Sequence, residues 1–137
     1  MNLKSIHIGK LIHERVIELQ MPVGRIEKFM KCSEEEIENM YLQSSIDTFL
    51  LLRWSKLLDY NFFRIYSAHL ILYAPPTNPK IPSKQKGNLP VFRKNIYTEE
   101  VKSFILEKIS SKEMTVNEVI LKYRIPKTTL HKWIKKA

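Results

Sequence analysis

Residues 115–137 read TVNEVILKYRIPKTTLHKWIKKA, and this stretch has the pattern of a helix-turn-helix. Thr115 and Glu118 have the spacing of a capping box, in which a hydroxyl and a carboxylate bond the free N–H groups of a helix start. The next apolar residues recur at i, i+3, i+4 and i+7 and so share one helical face: Val116, Val119, Ile120 and Tyr123. Residues 124–126 interrupt the pattern, and Pro126, with no N–H and a fixed φ, suits the start of a new helix.

The second predicted helix has an apolar back and a basic front. Leu130, Trp133 and Ile134 form the apolar stripe. The opposite face carries ammonium, hydroxyl and imidazole groups: Lys127, Thr128, Thr129, His131, Lys132, Lys135 and Lys136. A short helix of this kind fits the major groove of DNA. The alternative is an ordinary helical hairpin whose basic face is only solvated. The short break, the inward Trp and the charge balance of the chain favour DNA binding.

The segment 115–133 resembles the helix-turn-helix of insertion-sequence transposase accessory proteins and of DNA invertases and resolvases. Those domains share a hydroxyl residue, an apolar-rich helix, a small turn and the pattern S/T-T-[LV]-x-[RK]-[WYF]. Residues 128–133, TTLHKW, match that last pattern throughout. The resemblance implies that Thr128 and Lys132 face DNA bases. Arg124 stands where the family usually has Gly or Asn at positive φ, a conformation that costs a larger residue ~1 kcal/mol. A turn built in another way is therefore an alternative.

The 137-residue chain has a formal net charge of +9, and the whole excess lies in its second half. Residues 1–74 hold nine Lys/Arg and nine Asp/Glu, whereas residues 75–137 hold fourteen and five. Length allows one domain or two small ones, and a hydrophobic content of 44% is ordinary for a globular protein. The basic half predicts a polyanionic partner. A membrane surface is the rival partner, but the basic segments lack a broad apolar face for insertion.

The residue types present argue against catalytic and metal-binding functions. Cys32 is the only cysteine, so the chain forms neither an internal disulfide nor a thiolate zinc site. The histidines have no metal-ligand spacing: His7, His13, His69 and His131. The chain has three glycines and no phosphate-binding loop, and it lacks room for the catalytic domain of a transposase or a serine recombinase. We therefore expect no enzymatic activity, no cofactor and no metal.

The targeting signals that would place the chain outside the cytoplasm are not found. Its N-terminus, MNLKSIHIGKLIHERV, lacks the long apolar region of a signal peptide. The longest apolar runs are too short to span a membrane. We expect a reduced, cytoplasmic and nucleoid-associated bacterial protein.

Residues 1–74 predict a helical module. Residues 6–19 form an amphipathic helix whose inner face holds Ile8, Leu11, Ile12, Val16 and Leu19. A second short helix is expected over 23–31. Ser33 and Glu36 have capping-box spacing at the start of a third helix. A fourth helix begins at a Ser45 cap and offers these side chains for burial: Phe49, Leu50, Leu52, Trp54, Leu57 and Leu58.

This module resembles the Cro/C1 repressor-like fold over roughly residues 6–66. The first-helix signature of that family corresponds to Ile8-Gly9, Arg15 and Leu19, and Cys32-Ser33 stands where the turn enters its recognition helix. The matching recognition helix, residues 33–39 (SEEEIEN), carries four carboxylates that DNA phosphates would repel. We expect protein contact or dimerisation here, with an auxiliary DNA contact as the alternative.

Residues 59–74 are rich in aromatic side chains. Phe62, Phe63 and Ile65 are expected to close the core of the module. Leu70–Tyr73 is a short apolar run of the kind found in strands. A single strand in a helical module needs the edge of another chain as its partner. This run is the reason to expect a homodimer through residues 1–74.

Residues 75–91 predict a linker. They are rich in lysine and contain five of the seven prolines: Pro75, Pro76, Pro79, Pro82 and Pro90. Proline keeps such a segment extended, and lysine keeps it solvated and attractive to phosphate. A Pro-rich ligand of SH3-type domains is the alternative.

Residues 92–137 predict a second, three-helix domain. Arg93 and Lys94 precede its first helix and add to the candidate DNA contacts. Thr98 caps that helix, whose inner side chains are Val101, Phe104, Ile105 and Ile109. The run 97–102, YTEEVK, again resembles the start of transposase accessory domains, which share Y-[ST]-x-E-[FV]-K.

The sequence thus predicts an all-α protein of two small helical modules joined by a Pro/Lys-rich linker. Its expected function is sequence-specific binding of double-stranded DNA, as a transcriptional regulator or as the DNA-recognition subunit of a transposition system. A transposase or another protein is a further expected partner. The alternative is a protein-interaction adaptor whose basic tail binds acidic partners, or nucleic acid without specificity.

Overall fold

The computed structural model describes residues 1–75, 87–92 and 95–137. Over these ranges the chain is helical and has no strand, as predicted for an all-α protein. The helices are α1 (Ile8–Leu19), α2 (Val23–Met30), α3 (Glu34–Tyr41), α4 (Thr48–Leu57), α5 (Phe63–Tyr73), α6 (Glu99–Ser110), α7 (Val116–Tyr123) and α8 (Lys127–Lys136).

The described chain divides into two compact units. One is Asn2–Tyr66, and the other is Ser67–Ala137 together with Met1. The division falls inside α5, whereas the sequence places a linker at residues 75–91, most of which lie outside the described residues. The boundaries 1–74, 75–91 and 92–137 therefore stay a prediction.

The Asn2–Tyr66 unit is built around an apolar core supplied by all of its helices. The fully buried side chains include Ile8, Ile12, Ile26, Ile37, Trp54, Leu58 and Phe62. Phe62 and Ile65 close this core as predicted, whereas Phe63 is only half-buried. Leu19, predicted to face inward, is 41% exposed at the end of α1.

The start of α1 lies directly against the end of α3. The N–H groups of Ile8 and Gly9 donate to the carbonyl oxygens of Ser44 and Gln43, each at 3.0 Å. These bonds satisfy N–H groups that a helix start otherwise leaves without partners. A Cβ atom at position 9 would lie 2.3 Å from the carbonyl oxygen of Met40. Glycine is therefore required by the close approach of the two helices.

The starts of α3 and α4 differ from the predictions in detail. Ser33 caps α3 by accepting a hydrogen bond from the Glu36 N–H at 3.2 Å. The Glu36 carboxylate accepts from the Ser33 hydroxyl at 3.3 Å, so this cap is not the predicted reciprocal capping box. Asp47, not Ser45, caps α4, and its carboxylate accepts from the Phe49 N–H at 2.7 Å.

One side of α4, which begins after the Asp47 cap, faces the core. Leu51 and Trp54 are buried three residues apart, and Leu58 follows one turn later. Phe49 and Leu52 lie on the other side and are 63% and 47% exposed, so their predicted burial is wrong.

The predicted strand at Leu70–Tyr73 is also wrong, because this run forms the last turn of α5. Ile65, Ala68 and Leu72 are buried at i, i+3 and i+7, which is a helical spacing. The residue between them in the run, Leu70, is 63% exposed. With no strand here, the argument for a homodimer through a strand edge no longer holds.

The phenol of Tyr41 lies in the core of the Asn2–Tyr66 unit. Its ring stacks on His13 with centroids 4.4 Å apart, and the ring of Trp54 lies 5.9 Å away. Burial, with a smaller contribution from the Glu38 carboxylate, raises the pKa of Tyr41 from 10.0 to about 12.

We expect this raised pKa to make the unit sensitive to alkali. The pKa is higher in the folded state, so the neutral phenol contributes its full stabilisation below pH 10. That contribution is lost as the pH rises from 10.0 to about 12. In far-UV circular dichroism against pH, Tyr41→Phe should lose less helicity over this range than the wild type. Identical profiles for the two proteins would contradict the shift.

The helices α6, α7 and α8 belong to the Ser67–Ala137 unit and enclose a second apolar core. Its buried members include Val101, Ile105, Val119, Ile125 and Leu130. Thr98 caps α6 as predicted, accepting from the Val101 N–H at 3.3 Å. The rings of Phe104 and Tyr123 meet edge to face at 6.4 Å and link α6 to α7. The inner face of α8 packs on this core through Leu130.

Candidate nucleic-acid interface

The turn between α7 and α8 is three residues long, Arg124 to Pro126. The predicted capping box at the start of α7 is confirmed. The Glu118 N–H donates to the Thr115 hydroxyl at 3.2 Å, and the Thr115 N–H donates to the Glu118 carboxylate at 3.3 Å. Arg124 has φ 54° and ψ 37°, the left-handed conformation usually taken by glycine. The turn therefore has the positive φ typical of the resembled family, although a larger residue occupies it.

The inner face of α8 contacts α6 and Tyr97, the residue that precedes the α6 cap Thr98. Leu130 is fully buried, and Trp133 and Ile134 are half-buried, so the predicted stripe faces inward. The Trp133 ring meets the Tyr97 ring edge to face at 5.0 Å. The Lys102 ammonium lies 6.0 Å from the Trp133 ring centroid and forms an ion pair with Glu99 at 3.2 Å. These contacts fix the rotation of α8 about its axis.

The outer face of α8 carries six of the seven candidate side chains in exposed positions: Lys127, Thr128, His131, Lys132, Lys135 and Lys136. Thr129 is half-buried and lies at the edge of this face. Thr128 is about 200° around the axis from the buried Leu130, so it lies near the middle of the outer face. Lys132 and Lys135 follow it at i+4 and i+7. The other two candidates, Arg93 and Lys94, lie outside the described residues.

The electrostatic character of this face is uniform. From residue 119 to residue 137 the sequence has no Asp or Glu, and it has six cations: Lys122, Arg124, Lys127, Lys132, Lys135 and Lys136. Among the described residues, the ion pairs of the second unit lie on or beside α6, and none uses a lysine of α8. Pro126 precedes α8 and provides no side-chain cap for the N–H groups of its first turn. The lysines of α8 thus present positive charge that forms no ion pair with a carboxylate of the described residues.

The helix pair α2–α3 has the same construction as α7–α8. In each, an eight-residue helix is followed by three residues and a second helix, and the numbering differs by 93 (116 − 23 and 127 − 34). Lys31 has φ 54° and ψ 47°, which matches Arg124 in the other turn. The buried positions correspond as well: Ile26 with Val119, Met30 with Tyr123, and Ile37 with Leu130. The two pairs therefore share helix and turn lengths and turn conformation, and the three-residue turn from Gln20 to Pro22 between α1 and α2 also begins with a left-handed residue.

The outer faces of the second helices have opposite character. The face of α8 carries Lys127, Thr128, His131, Lys132 and Lys135, and the equivalent positions of α3 are Glu34, Glu35, Glu38, Asn39 and Leu42. All of these side chains are exposed. Sequence reasoning treated the two pairs separately and missed their common register. The signal was present, because the apolar residues 26, 30 and 37 recur at 119, 123 and 130.

Other site classes find little support in the parts of the chain that the structure describes. No group of His, Cys, Asp and Glu in them is placed to hold a metal ion. No helix in these ranges is both long and apolar enough to cross a membrane. No family model, no curated protein and no solved structure matches the chain, so the role of the α8 face has to be inferred from its own geometry and charge.

Proposed function

We propose that the chain is a sequence-specific double-stranded DNA-binding protein and that α7–α8 is its helix-turn-helix. The supporting observation is the outer face of α8, which is exposed and cationic and has no carboxylates. The orientation of α8 is fixed by the contacts of Trp133 on its inner face. An α-helix of this size enters the major groove, and lysines neutralise phosphates along its edges. The protein acts as a transcriptional regulator or as the DNA-recognition subunit of a transposition system. It is cytoplasmic and nucleoid-associated.

The side chains of α8 take different roles according to their place on the helix. Thr128 and Lys132 lie on the middle of the outer face and, at ~1.5 Å rise per residue, ~6 Å apart along the axis. Lysine can donate to guanine O6 and N7, and threonine can contact a thymine methyl group or donate to a base edge. These two side chains read bases. Lys135 and Lys136 lie in the last turn, where a DNA phosphate is the nearer target.

One change tests base reading, and the repeat supplies its matched control. Lys132→Ala should lower affinity for the preferred site by ~1–3 kcal/mol and relax the preference at one base position. Asn39→Ala changes the equivalent position of α3 and should leave the base preference unaltered. Both are measured in the full chain by fluorescence anisotropy on sites enriched from a random DNA pool. If Lys132→Ala keeps the sequence preference, the reading face is wrongly assigned, and Lys127 or His131 is the next residue to test.

A second change tests phosphate contact. Lys136→Ala should weaken binding to all sequences about equally and reduce the slope of log K against log[salt] by ~1. Lys136 does not belong to the buried stripe of α8, so this loss has no origin in folding. A base-specific effect of Lys136→Ala would contradict the division of roles.

A second candidate function is that of a protein-interaction adaptor. The observation that favours it is α3, where the same helix-pair construction presents carboxylates and an exposed Leu42. Such a face suits a protein partner better than DNA. An adaptor whose basic tail binds acidic partners would show salt-dependent binding to DNA without preference for any sequence. A preferred site in the enrichment experiment favours the DNA-binding function over it.

The proposed partners are DNA, a second copy of the chain through residues 1–74, and a transposase or another protein. Two paired helix-turn-helix domains would occupy two half-sites of one DNA target. Since Leu70–Tyr73 is helical, the proposed pairing through residues 1–74 uses a helical surface and not a strand edge.

A further inference from the structure

The middle of the outer face of α8 is a narrow stripe of three exposed side chains, Thr128, Lys132 and Lys135. Thr128 and Lys132 stand two residues before and two residues after the buried Leu130, so each lies within about 20° of the direction opposite to it. Lys135 lies within about 40° of the same direction. When α8 approaches a groove with its outer face, these side chains are therefore the first to reach the floor of the groove.

The hydrogen-bonding groups of this region have a restricted chemistry. From residue 119 to residue 137 the sequence has no Asn, Gln, Asp or Glu. In the major groove, Asn or Gln bonds adenine through two atoms, and Asp or Glu accepts from the cytosine amine. Neither of these contacts can be made by a side chain of α8. A lysine ammonium has three donors and no acceptor, so it needs acceptor atoms on the base that it contacts.

Guanine is the base that meets this need best. Its O6 and N7 are two neighbouring acceptors in the major groove, whereas adenine places an amine donor beside N7 and thymine offers O4 beside a methyl group. A side chain that only donates can thus bond two atoms of guanine and one atom of adenine or thymine. Lys132 is placed for this contact, because it lies in the middle of the stripe and forms no ion pair or hydrogen bond with the described residues.

We propose that the DNA target of the chain carries a guanine whose O6 and N7 accept hydrogen bonds from the Lys132 ammonium in the major groove. Thr128 contacts a base within about two base pairs of this guanine, since it lies ~6 Å from Lys132 along the helix axis and base pairs are ~3.4 Å apart. The inference rests on the proposed DNA-binding function and names the base that the central lysine of α8 recognises.

Two guanine analogues test this contact in the full chain. Enrichment of sites from random DNA, with the wild type and with Lys132→Ala, identifies the position at which the variant loses its preference, and this position should hold a guanine. 7-Deazaguanine placed there has a carbon in place of N7, so the affinity of the wild type, measured by fluorescence anisotropy, should fall ~3–10-fold. Inosine placed there keeps O6 and N7 and lacks only the minor-groove amine, so the affinity should stay unchanged.

The lysine variants separate this contact from other effects of the analogue on the duplex. Lys132→Ala should bind the guanine and 7-deazaguanine sites equally, whereas Lys136→Ala should keep the full loss seen with the wild type. An A·T pair at the identified position, or a wild type that binds the 7-deazaguanine site undiminished, would overturn the guanine contact and leave DNA binding by α8 in place. DNA binding without any preferred site would overturn the proposed function on which the inference rests.

Discussion

A single added methyl group at position 9 is expected to lower the free energy of unfolding of the Asn2–Tyr66 unit by about 3 kcal/mol or more. In Gly9→Ala, the new Cβ would lie 2.3 Å from the Met40 carbonyl oxygen and 2.6 Å from those of Tyr41 and Gln43. These are backbone atoms, so no change of side-chain rotamer relieves the overlap. The start of α1 has to move away from α3, and the hydrogen bonds donated by the Ile8 and Gly9 N–H groups are then lost.

Gly24→Ala is the natural control for this prediction. Gly24 lies in α2, and a Cβ there meets nothing within 4 Å. Alanine should therefore stabilise the helix by ~0.5–1 kcal/mol, the usual gain over glycine. Urea denaturation followed by circular dichroism measures both variants. Equal stability of Gly9→Ala and the wild type would show that α1 and α3 do not approach each other as described.

Leu130→Ala is expected to unfold much of the Ser67–Ala137 unit and to abolish DNA binding with it. Leu130 is fully buried at the centre of the inner face of α8. Removing a buried leucine side chain costs ~2–5 kcal/mol, and a core of this size rarely supplies more than ~3–5 kcal/mol. Leu130→Met keeps the volume and should cost less than ~1.5 kcal/mol.

The two tryptophans of the chain allow the loss to be located. Trp54 lies in the first unit and Trp133 in the second, so each indole N–H signal in an NMR spectrum reports one unit. Leu130→Ala should move the Trp133 signal to the position of an unfolded chain, and DNA binding measured by anisotropy should disappear with it. Full DNA affinity in a variant whose Trp133 signal has collapsed would mean that α8 is not the DNA-binding element.

Helix starts were predictable where a single polar residue could cap them. Three helices have the predicted N-caps: Ser33 for α3, Thr98 for α6 and Thr115 for α7. A hydroxyl residue directly before an amphipathic helical pattern accepts a hydrogen bond from an N–H group of the first turn. The start of α4 was not predictable in this way, since Ser45 and Asp47 are both good caps. The burial of Leu51 and Trp54 selects between them, and burial is a property of the fold, not of the local sequence.

The error at Leu70–Tyr73 has a different origin. Four consecutive apolar residues are compatible with a strand and with a buried helix turn, and local periodicity does not separate the two. The decision comes from Ile65 and Ala68, which extend the pattern backwards at helical spacing and are buried with Leu72. The pattern from residue 63 onward is therefore helical, although residues 70–73 alone fit a strand equally well.

The outer face of α8 was largely predictable, because its positions follow from the buried Leu130 by helix geometry alone. Thr129 was included among the exposed residues, but it lies close to the buried side and is half-covered. The repeat of α2–α3 in α7–α8 was not predicted. The resemblance places Arg124 at a positive-φ position, whereas the same conformation of Lys31 appears only in the backbone angles.

The opposite charges of α3 and α8 have a consequence for how DNA occupancy would respond to the amount of protein. A chain with two cationic helix pairs could bind one DNA molecule at two places. It would gain affinity because the second contact forms at a high local concentration. This chain has one cationic pair, so in the proposed function a second contact has to come from a second molecule. At concentrations below the dimer dissociation constant, the amount of dimer rises with the square of the chain concentration. Occupancy of a paired site would then change over a narrow range of expression levels, as a threshold and not as a gradual response.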